Sequence, residues 1–327
     1  MSLQNNPTIS GYTTTKDCIQ QKYPWKECIS SMLGFCDEVV VVDGGSSDGT
    51  WEDLLSWSKT EPKLKPHQVL RDWSHKRHAV FDGAQKAEAR KRCTSSFCWQ
   101  MDADEIVHKD DYQKIKALIN NWPKDIKLIS LHIVEFWGSK EKTRCDVNPW
   151  KWRISINSPD ITHGIPLHLR RYDENGDLFA SPGTDGCDYI SSFDGTIIPH
   201  ASFYTQEAHY VRMHALNGNK DALSAYENWF NEVVENIPGV FHYSWIDIER
   251  KIKTYKGYWQ KHWESLYDIK QEDTAENNMF FDKPWNEVSD QEISKLANKL
   301  KNEMGGWIFH SKIDWNKKTP WIKIKKS

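Results

Sequence analysis

Four consecutive valines between Glu38 and Asp43 constrain this chain more than any other feature. A strand that alternates apolar and polar residues can leave one face in water. The run Val39-Val40-Val41-Val42 instead puts β-branched apolar side chains on both faces. Such a strand belongs inside a sheet covered on both sides, which is the parallel sheet of an α/β fold. The neighbouring segments agree. Gly44 and Gly45 form a turn, and Thr50-Trp51-Glu52-Asp53 reads as an N-cap with a carboxylate three residues on, opening a helix to Ser58. Residues 8–14 read as a first strand, 18–34 as a helix interrupted at Pro24, and 67–70 as a short strand. Residues 78–92 form a helix rich in Ala, Lys and Arg. A second buried strand spans 97–101, a helix 111–121 and a longer strand 126–136. This alternation predicts a doubly wound, mostly parallel α/β sheet flanked by helices. Residues 138–204 read as irregular, with strands at 167–172 and 196–198 and a Gly-flanked loop at 181–186. Beyond Gln206 the pattern is helical, at 207–216, 221–235, 245–267 and 290–304. The expected division is a main domain over 1–204, with halves 1–136 and 137–204, and a helical extension over 205–327.

Composition narrows the function classes. The 327 residues carry 43 Lys plus Arg against 46 Asp plus Glu, a net charge of −3. That balance excludes a general nucleic-acid binder. No apolar run approaches the ~20 residues of a membrane-crossing helix. Residues 1–15 lack a basic stretch followed by an apolar one, so no secretory signal is expected. The 7 cysteines form no CxxC pair, Cys93 and Cys98 being the closest two. With no disulfide framework and no N-glycosylation sequon, the expected compartment is the reducing cytoplasm. Lys317, Lys318, Lys323, Lys325 and Lys326 beside Trp315 and Trp321 form a solvated tail, or alternatively a peripheral contact with an anionic membrane. The 17 Trp residues either pack in the core or offer flat faces to partners such as sugars.

Two acidic turns carry the chemistry. Asp102-Ala103-Asp104-Glu105 sets three carboxylates just after a buried strand. Crowded carboxylates repel one another and resist desolvation, and a divalent cation removes that penalty. Mn²⁺ or Mg²⁺ suits oxygen donors better than zinc, because no Cys or paired His stands nearby. Such an ion would neutralise a diphosphate leaving group. The plainer alternative is a helix cap favoured by the dipole. Asp43-Gly44-Gly45-Ser46-Ser47-Asp48-Gly49-Thr50 is the second turn. An Asp there can accept bonds from ribose or a base amide, and the glycines let backbone approach a ligand. Neither GxGxxG nor GK[ST] is present, so nicotinamide and P-loop readings fall away. An ordinary β-to-α turn is the alternative. In open α/β sheets, ligands bind outside the carboxyl ends of the strands, where both turns lie.

The series VVVVDGGSSDGT, a later strand and QMDADE resembles inverting family 2 glycosyltransferases of the GT-A fold. Asp82-Gly83-Ala84-Gln85-Lys86, His168-Leu169-Arg170-Arg171-Tyr172 and Ile198-Pro199-His200 are most similar to the lipopolysaccharide-core glucosyltransferase branch. The likeness covers residues 8–205. It departs at Gly11-Tyr12-Thr13-Thr14, where the family has P-x-x-N. It departs again at Gly183-Thr184-Asp185 and Cys187-Asp188, where a His-Glu is expected. No QxxRW appears, which argues against a processive synthase. The resemblance implies a nucleotide-sugar donor, UDP- or GDP-linked, and a glycan or lipid-linked acceptor. Asp43 would contact the nucleoside, Asp102 the ribose or the metal, and Asp104 the metal on the diphosphate. His200 would be a further metal or phosphate ligand. Thr13, Gly45, Asp72, Lys86 and Ala103 complete the implied donor contacts, with Arg90 a second cation for phosphate.

An acceptor hydroxyl must lose a proton as it attacks, and a carboxylate base is the usual device. Asp185 is the first candidate and Asp188 the second, with Asp82 and Asp72 behind them. Trp150, Trp152 and Arg170 are the acceptor-binding candidates. The helices beyond 205 either border the acceptor cleft or carry an oligomer contact. The competing readings are a nucleotidyltransferase of similar fold and a non-catalytic carbohydrate-binding or scaffold protein.

Overall fold

The computed structural model describes residues 7–71, 78–122, 127–144, 150–159, 161, 171–172, 178–179, 196–197, 214–215, 217–256, 278, 280–302 and 308–310. The elements run β1 (Ile9–Thr15), α1 (Trp25–Leu33), β2 (Glu38–Asp43), α2 (Thr50–Ser58), β3 (Leu64–Gln68), α3 (His78–Arg90), β4 (Phe97–Gln100) and β5 (Glu105–Ile106). They continue with α4 (Tyr112–Asn120), β6 (Leu128–Glu135), β7 (Lys142–Arg144), β8 (Trp150–Ile156), β9 (Arg171–Tyr172), β10 (Leu178–Phe179) and β11 (Thr196–Ile197). The last are α5 (Lys220–Asn236), β12 (Gly239–His242), α6 (Ile248–Thr254), α7 (Asp290–Asn302) and β13 (Ile308–His310).

The main sheet has the order β3-β2-β1-β4-β8-β6-β12-β5, with β11 beside β6. Strands β3, β2, β1 and β4 are mutually parallel. Strand β8 runs antiparallel between β4 and β6. Strand β12 lies parallel to β6 and antiparallel to β5. The expected mixed α/β architecture, mostly parallel and flanked by helices, is the one observed.

The valines of β2 explain the layering. All four are 0% exposed. Val39 and Val41 pack with Ile29 and Met32 of α1. Val40 and Val42 pack with Tyr12, with Ala89 of α3 and with Cys93 beyond it. Helices therefore cover both faces. Burying a valine is worth about 1.5–3 kcal/mol, so uncovering either pair would cost about 3–6 kcal/mol. A second cluster sets Tyr226, Phe230 and Val234 of α5 against Phe136 and Phe241. A third joins Trp137 to Trp285 and to the residues of α6 and α7.

Four local expectations need correction. Helix α1 opens at Trp25 rather than at Cys18, because Asp17 and Lys22 take positive φ (47° and 54°), which breaks a helix before Pro24 does. The N-cap of α2 is Gly49 at φ 97°, not Thr50, which is the first helical residue. Strand β8 lies within the stretch read as irregular, although Trp150 to Ile156 alternates apolar and polar residues as a half-buried strand does. Strand β12 lies within the segment read as purely helical. Its four residues are too few for a periodic signal, yet they make that segment part of the main sheet. Among the described residues no helix is long and apolar enough to cross a membrane.

Candidate active site

The turn after β2 is built on its own carboxylates. Asp43 is 0% exposed. Its Oδ1 accepts from the backbone N–H of Gly45 (3.0 Å) and Ser46 (2.7 Å). Its Oδ2 accepts from the hydroxyls of Thr15 (2.9 Å) and Ser46 (2.6 Å). Asp48 accepts from Gln20 N–H (2.7 Å) and from the N–H and hydroxyl of Thr50 (3.0 and 2.6 Å). Burial opposes the charge on Asp48, and these hydrogen bonds outweigh it and lower its pKa. Asp17 Oδ1 accepts from Ser47 N–H at 2.8 Å. The motif thus fastens its own loop to the loop after β1. Gly45, at φ 86°, supplies the left-handed backbone the turn requires.

The turn after β4 holds its acids against basic side chains, of which Arg153 is buried. Asp102 pairs with Lys86 Nζ at 2.7 Å and with Arg153 Nη2 at 3.5 Å. Gln100 Nε2 donates to it at 3.1 Å. Burial pushes the Asp102 carboxyl up, but Lys86, Arg153 and Lys151 hold it well below the usual range. Glu105, 0% exposed, pairs closely with Arg153 and lies 3.8 Å from Lys151 Nζ. Arg153 also donates to Gln100 Oε1 at 2.7 Å. Burial disfavours its charge, and Glu105 and Asp102 more than reverse that.

Strand pairing completes the site from distant sequence. The register of β12 sets His242 opposite Glu105 on one side and Glu135 on the other. His242 Nε2 lies 3.2 Å from Asp104 Oδ1, and its Nδ1 lies 2.5 Å from Glu135 Oε2. Tyr243 N–H donates to the Asp104 carbonyl at 2.9 Å. Burial alone would lower the His242 pKa, but Glu135 and Asp104 lift it to about 10. Burial likewise works against the charge on Asp104, and His242 followed by Lys251 overcomes it, holding that carboxyl far below its usual range. Lys251 on α6 is buried, with its ammonium 5.9 Å from the Trp245 ring and 5.8 Å from the Tyr255 ring. Burial lowers its pKa to about 8 despite Asp104.

Of the expected site residues, Lys86, Asp102 and Asp104 converge. Gly45 sits in the first turn, and Ala103 packs against the main core. Thr13 is buried inside β1. Trp152 is 9% exposed within β8, and only the backbone of Trp150 is described. Asp72, Arg170, Asp185, Asp188 and His200 lie outside the described residues, as does the side chain of Asp82. Arg90 does not serve as a phosphate cation. Its guanidinium donates to Ile161 O (2.8 Å), Ser155 Oγ (2.9 Å) and Ile156 O (2.8 Å), anchoring the chain beyond β8. Glu135, Arg153, His242 and Lys251 are the site residues that motif reading missed. Glu135 and His242 carried one usable signal, each being a polar residue that closes a short apolar strand.

Among the described residues no three His, Cys, Asp or Glu side chains form a ready cage for a metal. The donor chemistry nevertheless fits Mn²⁺ or Mg²⁺. Hard divalent ions are commonly held by one or two protein groups, with substrate phosphates and water completing the shell. Asp104 and His242 offer an oxygen and a nitrogen donor side by side. Glu135 behind the imidazole is the partner that metal-binding histidines usually have.

Residues 25–162 match the family model described as Glycosyl transferase family 2. That segment runs from α1 past the end of β8 and contains both acidic turns, Glu135 and Arg153. Comparison with curated proteins yields no match. Similar solved structures include S. aureus TarS, at 19% identity over 58% of this chain and 35% of that chain, with a TM-score of 0.38. S. aureus TarS 1-349 in complex with UDP is 22% identical over 50% of this chain and 51% of that one, TM-score 0.35. The mannosyltransferase PcManGT from Pyrobaculum calidifontis, in complex with GDP-Man and Mn²⁺, is 22% identical over 39% and 36%, TM-score 0.30. The chain thus covers 35% of the length of the first of these.

Proposed function

We propose that this chain is a glycosyltransferase that moves a sugar from a UDP- or GDP-linked donor to a hydroxyl of a glycan or lipid-linked acceptor, with inversion at the anomeric carbon. The family match over residues 25–162 supports the transferase class. The observation that carries the donor class is the charge of the rim. Asp102, Asp104, Glu105 and Glu135 face Lys86, Arg144, Lys151, Arg153, His242 and Lys251. Even with His242 neutral, as a metal ligand must be, the five other bases outnumber the four carboxylates and leave an excess of positive charge. That excess suits a diphosphate and suits a neutral sugar poorly.

In this reading Lys86 and Arg153 hold Asp102 ionised at the mouth of the rim, where it can accept from ribose hydroxyls. Asp104 and His242 would hold Mn²⁺ or Mg²⁺, with His200 a candidate further donor. The bound ion would supply positive charge for the diphosphate as it leaves. Asp43 contributes by fixing the shape of the Gly44–Ser47 turn beside the nucleoside, and Thr13 and Asp72 are further candidate donor contacts. Asp185, or Asp188 after it, takes the proton from the acceptor hydroxyl on the face opposite the nucleotide, a role worth ~10²–10⁴ in rate. Trp150 and Arg170 contact the acceptor. Residues 1–204 carry most of the transferase domain, and β12, His242 and Lys251 from 205–327 complete its sheet and its site.

Isothermal titration of UDP and GDP with and without Mn²⁺ tests the donor class. A panel of nucleotide sugars assayed for hydrolysis, wild type against Asp104→Ala, tests the ion. Metal-dependent nucleotide binding and loss of hydrolysis in the variant are expected. Equal cleavage by both proteins would remove Asp104 from the mechanism, and no nucleotide binding under either condition would overturn the transferase reading.

A further inference from the structure

An imidazole offers two nitrogens, and the bond made by one decides what the other can do. In His242 the two face different carboxylates. Nδ1 lies 2.5 Å from Glu135 Oε2, and Nε2 lies 3.2 Å from Asp104 Oδ1. At that separation the carboxylate oxygen accepts, and Nδ1 carries the hydrogen. Glu135 is 5% exposed, which leaves water little access to compete for that bond. The parallel register that sets Glu135 beside His242 places the two side chains on adjoining strand ends, not on mobile loops. Turning the ring over would put carbon where both nitrogens now sit and would forfeit both contacts.

We infer that Glu135 is a positioning residue, fixing the His242 ring so that Nε2, and not Nδ1, is the nitrogen presented beside Asp104. This rests on the proposal that Asp104 and His242 hold the ion. It adds that the metal donor set depends on a buried carboxylate that never touches the metal. Lys151 and Arg144 also face Glu135, and Lys251 faces Asp104. These cations have no acceptor to offer, so they do not compete for Nδ1–H.

The test uses the full chain with ¹⁵N-labelled histidine. With ¹¹³Cd²⁺ as a diamagnetic stand-in, scalar coupling identifies which His242 nitrogen bonds the ion. Coupling to Nε2 with a protonated Nδ1 is expected, and coupling to Nδ1 would overturn the inference. Mn²⁺ affinity, read by electron paramagnetic resonance without substrate, is expected to fall about 10–100-fold in Glu135→Gln, with partial recovery in Glu135→Asp. Unchanged affinity in a folded Glu135→Gln protein would also overturn it. The spectrum of wild type needs no variant, so a misfolded Glu135→Gln leaves the question decidable. If His242→Ala abolishes Mn²⁺ binding while Glu135→Gln does not, only the positioning role fails. If wild type binds no Mn²⁺, the ion assignment itself fails, and the role of Glu135 with it.

Discussion

Replacing Arg153 by Met is the sharpest test of how the rim is held together. The guanidinium is 6% exposed and Glu105 is 0% exposed, so the substitution strands a carboxylate in the interior. Removing one partner of a buried ion pair costs about 3–5 kcal/mol, most of it the penalty of the unpaired charge. Two contacts soften the loss here. Asp102 N–H still donates to Glu105 at 3.0 Å, and Lys151 Nζ lies 3.8 Å away. Arg153→Met should therefore sit near the lower end, about 3 kcal/mol, read from the urea midpoint at unchanged slope. Methionine roughly keeps the volume, so little of this is cavity. The double variant Arg153→Met with Glu105→Gln removes both charges and should recover at least half the loss. A single variant within about 1 kcal/mol of wild type would refute the argument. So would a double variant less stable than the single.

A pH titration gives a second test. The folded pKa of His242 is raised from 6.5 to about 10, so its contribution is complete below pH 6.5 and fades as pH rises through 10. Wild type should lose stability over that window relative to His242→Gln, and parallel curves would contradict it. Lys86→Ala should leave Asp102 without its nearest cation and weaken UDP binding roughly 10-fold, about 1.4 kcal/mol, measured by titration calorimetry. Gly45→Ala should cost about 1–2 kcal/mol from the left-handed backbone alone. The Leu70 contact, 2.7 Å from an added Cβ, belongs to a side chain 75% exposed that can swing away, so Gly45→Ala with Leu70→Ala should lose as much.

What could be read from sequence was what depends on neighbours in the chain. Strand β2 fell at its observed limits and helix α2 at its observed end, because four valines and a bounded helical run are local signals. Asp102 and Asp104 were legible because they follow a buried strand directly. His242 was not, standing 138 positions from Asp104, as only the pairing of β12 with β5 brings them together. Arg153 is 51 positions from Asp102, and although its strand alternates apolar and polar residues from Trp150 to Ile156, alternation does not say which distant turn an arginine on its polar face will meet. The crowded acids were read as wanting an external cation. In the fold, basic side chains already meet them, and among the described residues Asp104 with His242 remains as a pair suited to an ion.

The position of β12 has a consequence for synthesis. A ribosome delivers Asp102 and Asp104 long before Gly239–His242. Until that late strand arrives, the outer edge of β6 has no partner over His132–Glu135, and an open strand edge invites pairing with other chains. A nascent polypeptide stalled anywhere in between would carry the family-matched segment yet lack the histidine beside Asp104. The histidine beside Asp104 and a closed sheet edge therefore arrive in the same step, and premature termination leaves an open, association-prone strand edge.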